Sequence, residues 1–519
     1  MKPELKIHSY NEKDAGNSVA FPELTQWLTS AATLQVSELE GKVRQFHNID
    51  CTDHQRLELL DWIRPLITNT AYAVRETIAE GQLPLPENVL RHIDGLGRIY
   101  SIMADLYKAT ILSLASEVLF NSEETYDHHK EIHEDLILAC YGAINFLAEQ
   151  LRASYEGYRP VPEAIWHEIH HIYNYSRFII DLSMNRGLNE EKMRDEFFLI
   201  EHIYKRSLLL GLCNPYHFPV DAFGELNRSL HKWVHLCTLD HDAHEAEKTC
   251  MFSVDAESDY PAAPVLSHSG EVATTEQYSV LNTKQLVTSL NHEINLMAKE
   301  AFDHPEERAS GEILQRIEMN RRLIMNWGKH PIRQDVRHDK KGYCESVAGY
   351  NEIIKNMGSM LVTALKKTPL EKQHCCTIID ASEMGYQVEM NTNSTTRFKI
   401  GDMIAVRDVN QIEQWSLAVV RWARYTGANA IRVGMFVMGH QAERCKLKSE
   451  LASDETISVM TVAGTSNFPS DKKILLIPTG VFRPGKVMLL TGADTHRIVV
   501  GNLLMSGTNF DVIDYKFIG

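Results

Sequence analysis

The spacing of apolar residues changes once along this chain, and the change divides it. From Phe21 to about Leu239 they recur three and four apart, as in "FPELTQWLTSAATLQVSELEGKVRQF", "HQRLELLDWIRPLITNTAYAVRETIAE" and "PENVLRHIDGLGRIYSIMADLYKATILSLASEVLF". That spacing lines one face of an α-helix, and Pro86 suits a first helical turn, where its missing N–H leaves no bond unmade. Segments at about 126–156, 161–185, 189–210 and 219–238 continue the pattern. Beyond Pro331 the runs become short and rich in Val, Ile and aromatics, with Gly and Asn between them: "CCTIIDASEMGYQVEM", "GDMIAVRDV", "WSLAVVRWARY", "AIRVGMFVM". Such runs predict strands, and their succession predicts a small β-barrel.

The expected architecture is multi-domain. Residues 1–20 are polar and aperiodic and read as a disordered tail. An all-α domain covers 21–239. Residues 240–327 form a linker, marked by "SVDAESDYPAAPVLSHSG", and a helical connection carrying "TKQLVTSLNHEINLMAKEAF" and "GEILQRIEMNRRLIMNWG". An antiparallel β-barrel spans 328–450, interrupted by a helical insert at about Tyr350–Lys367, and 451–519 add a C-terminal β extension.

Bulk properties narrow the class. No run of about 18 apolar residues is present, and the polar start lacks the apolar core of a signal peptide. Nine cysteines without a C-x-x-C pair suit free thiols in a reducing compartment, so a cytoplasmic protein is expected. A net charge of −16 argues against broad binding to nucleic acid. Between Arg321 and Glu450, however, 20 Lys and Arg stand against 13 Asp and Glu, so this one stretch could welcome an anion.

Three motifs compete for a function. "AIWHEIHHIYNYS" holds His167, Glu168 and His171 as H-E-x-x-H, with Glu190 as a possible third zinc ligand in "GLNEEKMRD". Ile165, Ile169, Ile172 and Phe178 explain that helix as packing, so we expect no metal and no catalysis here. "LLIPTGVFRPGKVMLL" mimics a phosphate loop at Gly480, Gly485 and Lys486, but Val487 stands where Ser or Thr must hold Mg²⁺, which leaves a hairpin turn. The third is a pair: Arg333 and Arg337 of "RQDVR" give R-x-x-x-R, and Asp380, Ser382 and Gly385 of "DASEMG" give D-x-S-x-x-G, inside the basic β region.

In order and direction those two motifs, followed by "WSLAVVRW" and "RVGMFVMG", make residues 328–448 resemble a PilZ domain, the small β-barrel that receives the bacterial second messenger cyclic di-GMP. The likeness extends more loosely to a multi-domain bacterial group in which a long helical region precedes an atypical PilZ domain. One departure is the 42 residues between Arg337 and Asp380, more than the family usually shows. The resemblance implies cyclic di-GMP as ligand, bound by Arg333, Arg337, Asp380, Ser382 and Gly385.

Elementary chemistry agrees with those roles. Guanidinium groups give planar, bidentate donors to phosphate and to guanine O6 and N7, and they can stack on a base. A carboxylate accepts from the guanine N–H edge, a serine hydroxyl is a short adaptable partner, and a glycine lets backbone approach the ligand. The expected function is a non-enzymatic receptor with no cofactor beyond its ligand, coupled to an unidentified protein partner through the helical domain. The alternatives are an interaction scaffold whose barrel no longer binds nucleotide and, less favoured, a zinc metalloprotease using His167 and His171.

Overall fold

The structure is a computed structural model that describes residues 5, 7, 34–79, 81–120, 126–187, 190–240, 249–265, 278–303, 312–328, 338–357, 375–382, 384–408, 415–449, 456–464 and 473–518. Apart from Leu5 and Ile7, the expected tail lies outside the described residues, as do 21–33 and the part of the helical insert beyond residue 357.

The helical expectation holds. The N-terminal region contains α1 (Val36–Gln45), α2 (Asp53–Ala79), α3 (Glu87–Phe120), α4 (Tyr126–Glu156), α5 (Ile165–Asn185), α6 (Glu190–Leu212) and α7 (Ala222–Trp233). Their apolar stripes close on one another: Ile99, Met103 and Leu106 of α3, Ile137, Ile144 and Leu151 of α4, and Ile169 and Ile172 of α5 are almost fully withdrawn from water. At about 1.5–3 kcal/mol per fully buried side chain, that shared core holds the bundle together.

The stretch expected to be a linker is more ordered than its composition implied. β1 (Thr238–Asp240), β2 (Met251–Asp255), β3 (Ala263–Pro264) and β4 (Tyr278–Asn282) form an antiparallel sheet in the order β1-β4-β2-β3. These strands are too short for a periodicity argument to find; the sheet exists because Phe252, Val254 and Leu281 join the helical core. α8 (Lys284–Asp303) and α9 (Glu312–Trp327) follow, with Trp327 fully buried and its indole N–H donating to the Leu209 carbonyl at 3.0 Å.

The C-terminal half consists of β5 (His338–Ala348), β6 (Cys375–Ser382), β7 (Gly385–Asn391), β8 (Met403–Asp408), β9 (Ser416–Tyr425), β10 (Ala430–Ser449), β11 (Thr456–Gly464), β12 (Lys473–Pro478), β13 (Val487–Thr491), β14 (Thr495–Ser506) and β15 (Phe510–Ile518). Residues 350–357 are helical. The strand order closes twice. β10-β7-β6-β5-β8-β9 returns to β10, giving the expected barrel of six antiparallel strands. β10-β11-β12-β15-β14-β13 also returns to β10, so the C-terminal extension closes a second barrel with the help of β10.

The 20-residue strand β10 serves both, pairing with β7 and β9 through its first half and with β11 and β13 through its second. The turn around Gly480 and Gly485 is therefore not a hairpin, because β12 and β13 pair with other strands and not with each other. Both glycines do take positive φ, 85° and 74°, which a side chain would strain.

β8 is buried along its whole length. Ile404 and Val406 point into the first barrel, while Met403 and Ala405 meet Met460, Val462, Leu476 and Val512 of the second. A run such as "MIAV" without alternation is what a strand covered on both faces needs.

The first barrel is also continuous with the helices. Leu83 and Phe398 exchange backbone hydrogen bonds of 2.8 and 3.0 Å, the Leu85 N–H donates to the Tyr425 hydroxyl at 2.7 Å, and the Tyr425 N–H donates to the Tyr158 carbonyl at 2.8 Å. This seam sets one outer face of the barrel against the bundle.

Candidate functional site

On that face the strand register lines up outward-pointing residues. Inward positions are apolar, with Val388 opposite Val433 and Val433 opposite Ala423, all fully buried. The next positions therefore point out: Asp380 stands opposite Gln387, Gln387 opposite Gly434, and Gly434 opposite Trp422. One more pair along, Glu389 faces Arg432 and Arg432 faces Arg424. Four strands at about 4.8 Å spacing make the row from Asp380 to Trp422 roughly 14 Å wide. Gly434 is required by this arrangement, because the Trp422 indole lies where its Cβ would be.

A cavity of about 590 Å³ lies between this face and the helical region, within the size range of ligand pockets. Gln387, Trp422, Arg424 and Arg432 line it from the barrel, and Trp166, Tyr216 and Tyr260 are among the residues facing them. The Arg424 guanidinium lies 5.9 Å from the centre of the Tyr216 ring, and Arg432 Nε lies 3.4 Å from a Glu389 carboxylate oxygen. His217 also lines the cavity, and burial beside Arg322 and Arg421 pushes it down to about 4, so it adds no positive charge near neutrality. Two guanidinium groups among aromatic faces can hold phosphates and stack on bases.

The sequence motifs fall unevenly on this frame. Arg333 and Arg337 lie outside the described residues. Asp380 is half-buried at the β5 and β6 end of the outer row. Ser382 is half-buried at the end of β6, and its Oγ accepts from the Met384 N–H at 3.3 Å, which fixes the turn into β7. Gly385 is buried at the start of β7, where a Cβ would overlap the Met435 carbonyl, so β10 requires a glycine there without any positive φ.

The 42-residue gap begins and ends on neighbouring strands. β5 pairs with β6 so that His338 stands opposite Ala381 and Asp339 opposite Asp380, and the chain enters the barrel directly beside D-x-S-x-x-G. Sequence reasoning missed Gln387, Trp422, Arg424 and Arg432. Alternation along "VRWARY" and "AIRVG" was a signal for them, since Trp422, Arg424 and Arg432 are the outward positions of each strand.

The H-E-x-x-H helix, α5, is divided between two faces. Ile165, Ile169 and Ile172 are in the core, as expected, and Phe178 packs against it. Glu168 also points inward, accepting from the Lys108 ammonium at 2.7 Å, while Lys108 lies 2.6 Å from Asp105; all three are almost fully buried. His167 and His171 point the other way and stack, with 4.0 Å between ring centres. The carboxylate that meets them is Glu257, 3.6 Å from His167 Nε2 and 3.2 Å from His171 Nε2. Glu190 opens α6, and its side chain lies outside the described residues.

His170, between them, is buried. Its Nε2 donates to the Tyr260 carbonyl at 2.9 Å, so its Nδ1 accepts from the Tyr204 hydroxyl at 2.7 Å. Burial pushes its pKa down to about 4. No helix among the described residues is long and apolar enough to cross a membrane.

Two family models match the chain, and together they cover more than half of it. One, described as the N-terminal domain of the cyclic-di-GMP receptor FimW, matches residues 23–245. The other, described as the middle PilZ domain of the same receptor, matches residues 355–443. No curated protein matches.

Proposed function

The chain belongs to the FimW family of cyclic-di-GMP receptors, and from that premise we propose that it binds cyclic di-GMP on the outer face of its first barrel and passes the signal to a protein partner through its helical domain. The observation that carries this reading is the register that sets His338 and Asp339 beside Ala381 and Asp380. Arg337 is bonded to His338, so its Cα lies about 3.8 Å from that residue's, and Arg333 follows within one short segment. On this reading the ligand meets the guanidinium groups of R-x-x-x-R and the carboxylate of D-x-S-x-x-G together, at the end of the row that leads to Trp422. Arg333 and Arg337 take phosphate oxygens and the Hoogsteen edge of one guanine, Asp380 accepts from a guanine N–H edge, and Ser382 and Gly385 shape the turn beside it.

A route for the signal is available. The cavity shared by Trp422, Arg424 and Arg432 with the helical residues Trp166 and Tyr216 gives a bound nucleotide contacts on both sides. A ligand that touches both regions favours one arrangement of them, which is the condition for population shift. The reaction class is binding: Glu168, which would be the base of a metalloprotease, is committed to Lys108.

The test is calorimetric titration of the full chain with cyclic di-GMP, with cyclic di-AMP as control. Arg333→Ala or Arg337→Ala should cost about 2–5 kcal/mol of binding with the fold intact. Wild-type affinity in both variants removes the proposal. A chain that binds neither nucleotide but still captures its partner is the interaction scaffold.

A further inference from the structure

The cluster His167, His171 and Glu257 plays no part in the receptor reading, and its geometry is that of a metal site. The two imidazoles stand one helical turn apart, with Nε2 atoms 3.6 and 3.2 Å from the two oxygens of one carboxylate. Three potential ligand atoms lie within 4.8 Å of one another. Bonds of about 2.0–2.1 Å around a tetrahedral zinc ion place neighbouring donors roughly 3.3 Å apart, and the observed separations straddle that value. Two imidazoles and a carboxylate suit a borderline cation of the zinc class. A shared cation accepts a lone pair from all three groups at once.

The segment that brings Glu257 is held in place independently. Asp259 accepts from the Ala164 and Trp166 N–H groups at 2.8 and 3.1 Å, and the Tyr260 carbonyl accepts from His170. These bonds fix the stretch after β2 against the first turn of α5, so the three donors are positioned before any ion arrives.

We propose that His167, His171 and Glu257 bind one zinc-class divalent cation, with water in the remaining position, and that the ion ties residues 251–261 to α5. The role is structural, because Glu168 faces the opposite side of the helix and no base of the H-E-x-x-H motif reaches the ion. The tied segment includes Asp259, Tyr260 and Pro261, which with Trp166 form one wall of the cavity.

The experiment strips the full chain with a chelator and titrates it with Zn²⁺, and with Co²⁺ as a spectroscopic probe, in the absence of nucleotide. One equivalent of Zn²⁺ per chain, a raised melting temperature and the intense visible bands of four-coordinate Co²⁺ are expected. His171→Ala should weaken binding by about a hundredfold or more. Glu257→Gln should do the same, and because that side chain is 57% exposed its fold is not at risk. Absence of stoichiometric binding in the wild type, or an unchanged affinity in Glu257→Gln, overturns the site. Failure to bind cyclic di-GMP leaves this result untouched, so the two readings fail separately.

Discussion

Lys108→Met is the sharpest test of how the helical domain uses its H-E-x-x-H segment. Lys108 has 1% of its surface exposed, and its ammonium bridges Asp105 and Glu168, whose side chains are 0% and 5% exposed. Methionine keeps the unbranched stem and removes the charge, leaving two carboxylates to share a dry space. Removing one partner of a buried ion pair costs about 3–5 kcal/mol. At about 2–4 °C per kcal/mol for a unit of 150–250 residues, the variant should melt roughly 6–20 °C lower near pH 8.

Far-ultraviolet circular dichroism melts of both proteins measure this. A loss under about 1 kcal/mol refutes the buried ion-pair argument.

Two further outcomes follow from particular contacts. Gly434→Ala places a methyl group where the Trp422 indole lies, so it should cost about 1–3 kcal/mol in urea unfolding and weaken cyclic di-GMP binding about tenfold, read by calorimetry. His170, held neutral with a pKa of about 4, takes up no proton as pH falls from about 6.5 to 4, whereas the unfolded chain does. The sign is therefore a loss of stability on acidification, up to about 3 kcal/mol from this group, and none above about pH 7. Urea midpoints at pH 7.5 and 4.5 should show a smaller acid loss in His170→Phe than in wild type.

Much of the fold was legible because each element carries its own period. The helices at 126–156 and 165–185 and the barrel strands around "WSLAVVRWARY" repeat apolar residues at the spacing of the structure they adopt. The four short strands between Thr238 and Asn282 were not legible, since two to five residues hold no period and their stability comes from joining a core assembled by distant helices. The second closure of the sheet was equally hidden. A strand pattern states which side chains face inward and says nothing about which strand lies alongside, and β10 pairs with four others.

The same division runs through the candidate sites. R-x-x-x-R and D-x-S-x-x-G could be read as chemistry in the chain, because guanidinium and carboxylate groups at fixed spacing carry their binding capacity with them. Their spatial relation could not, because the 42-residue gap begins on β5 and ends on β6, and only the register of those strands sets His338 opposite Ala381. Likewise His167 and His171 were visible as an i, i+4 pair, while the carboxylate that meets them is Glu257, on a loop about 90 residues away. The sequence by itself determined the two periods, the helical and β regions they build, and the residue types able to meet a nucleotide. Only the tertiary structure decided which of those residues share a surface, because hydrogen-bond register and helix packing join positions whose separation along the chain is arbitrary.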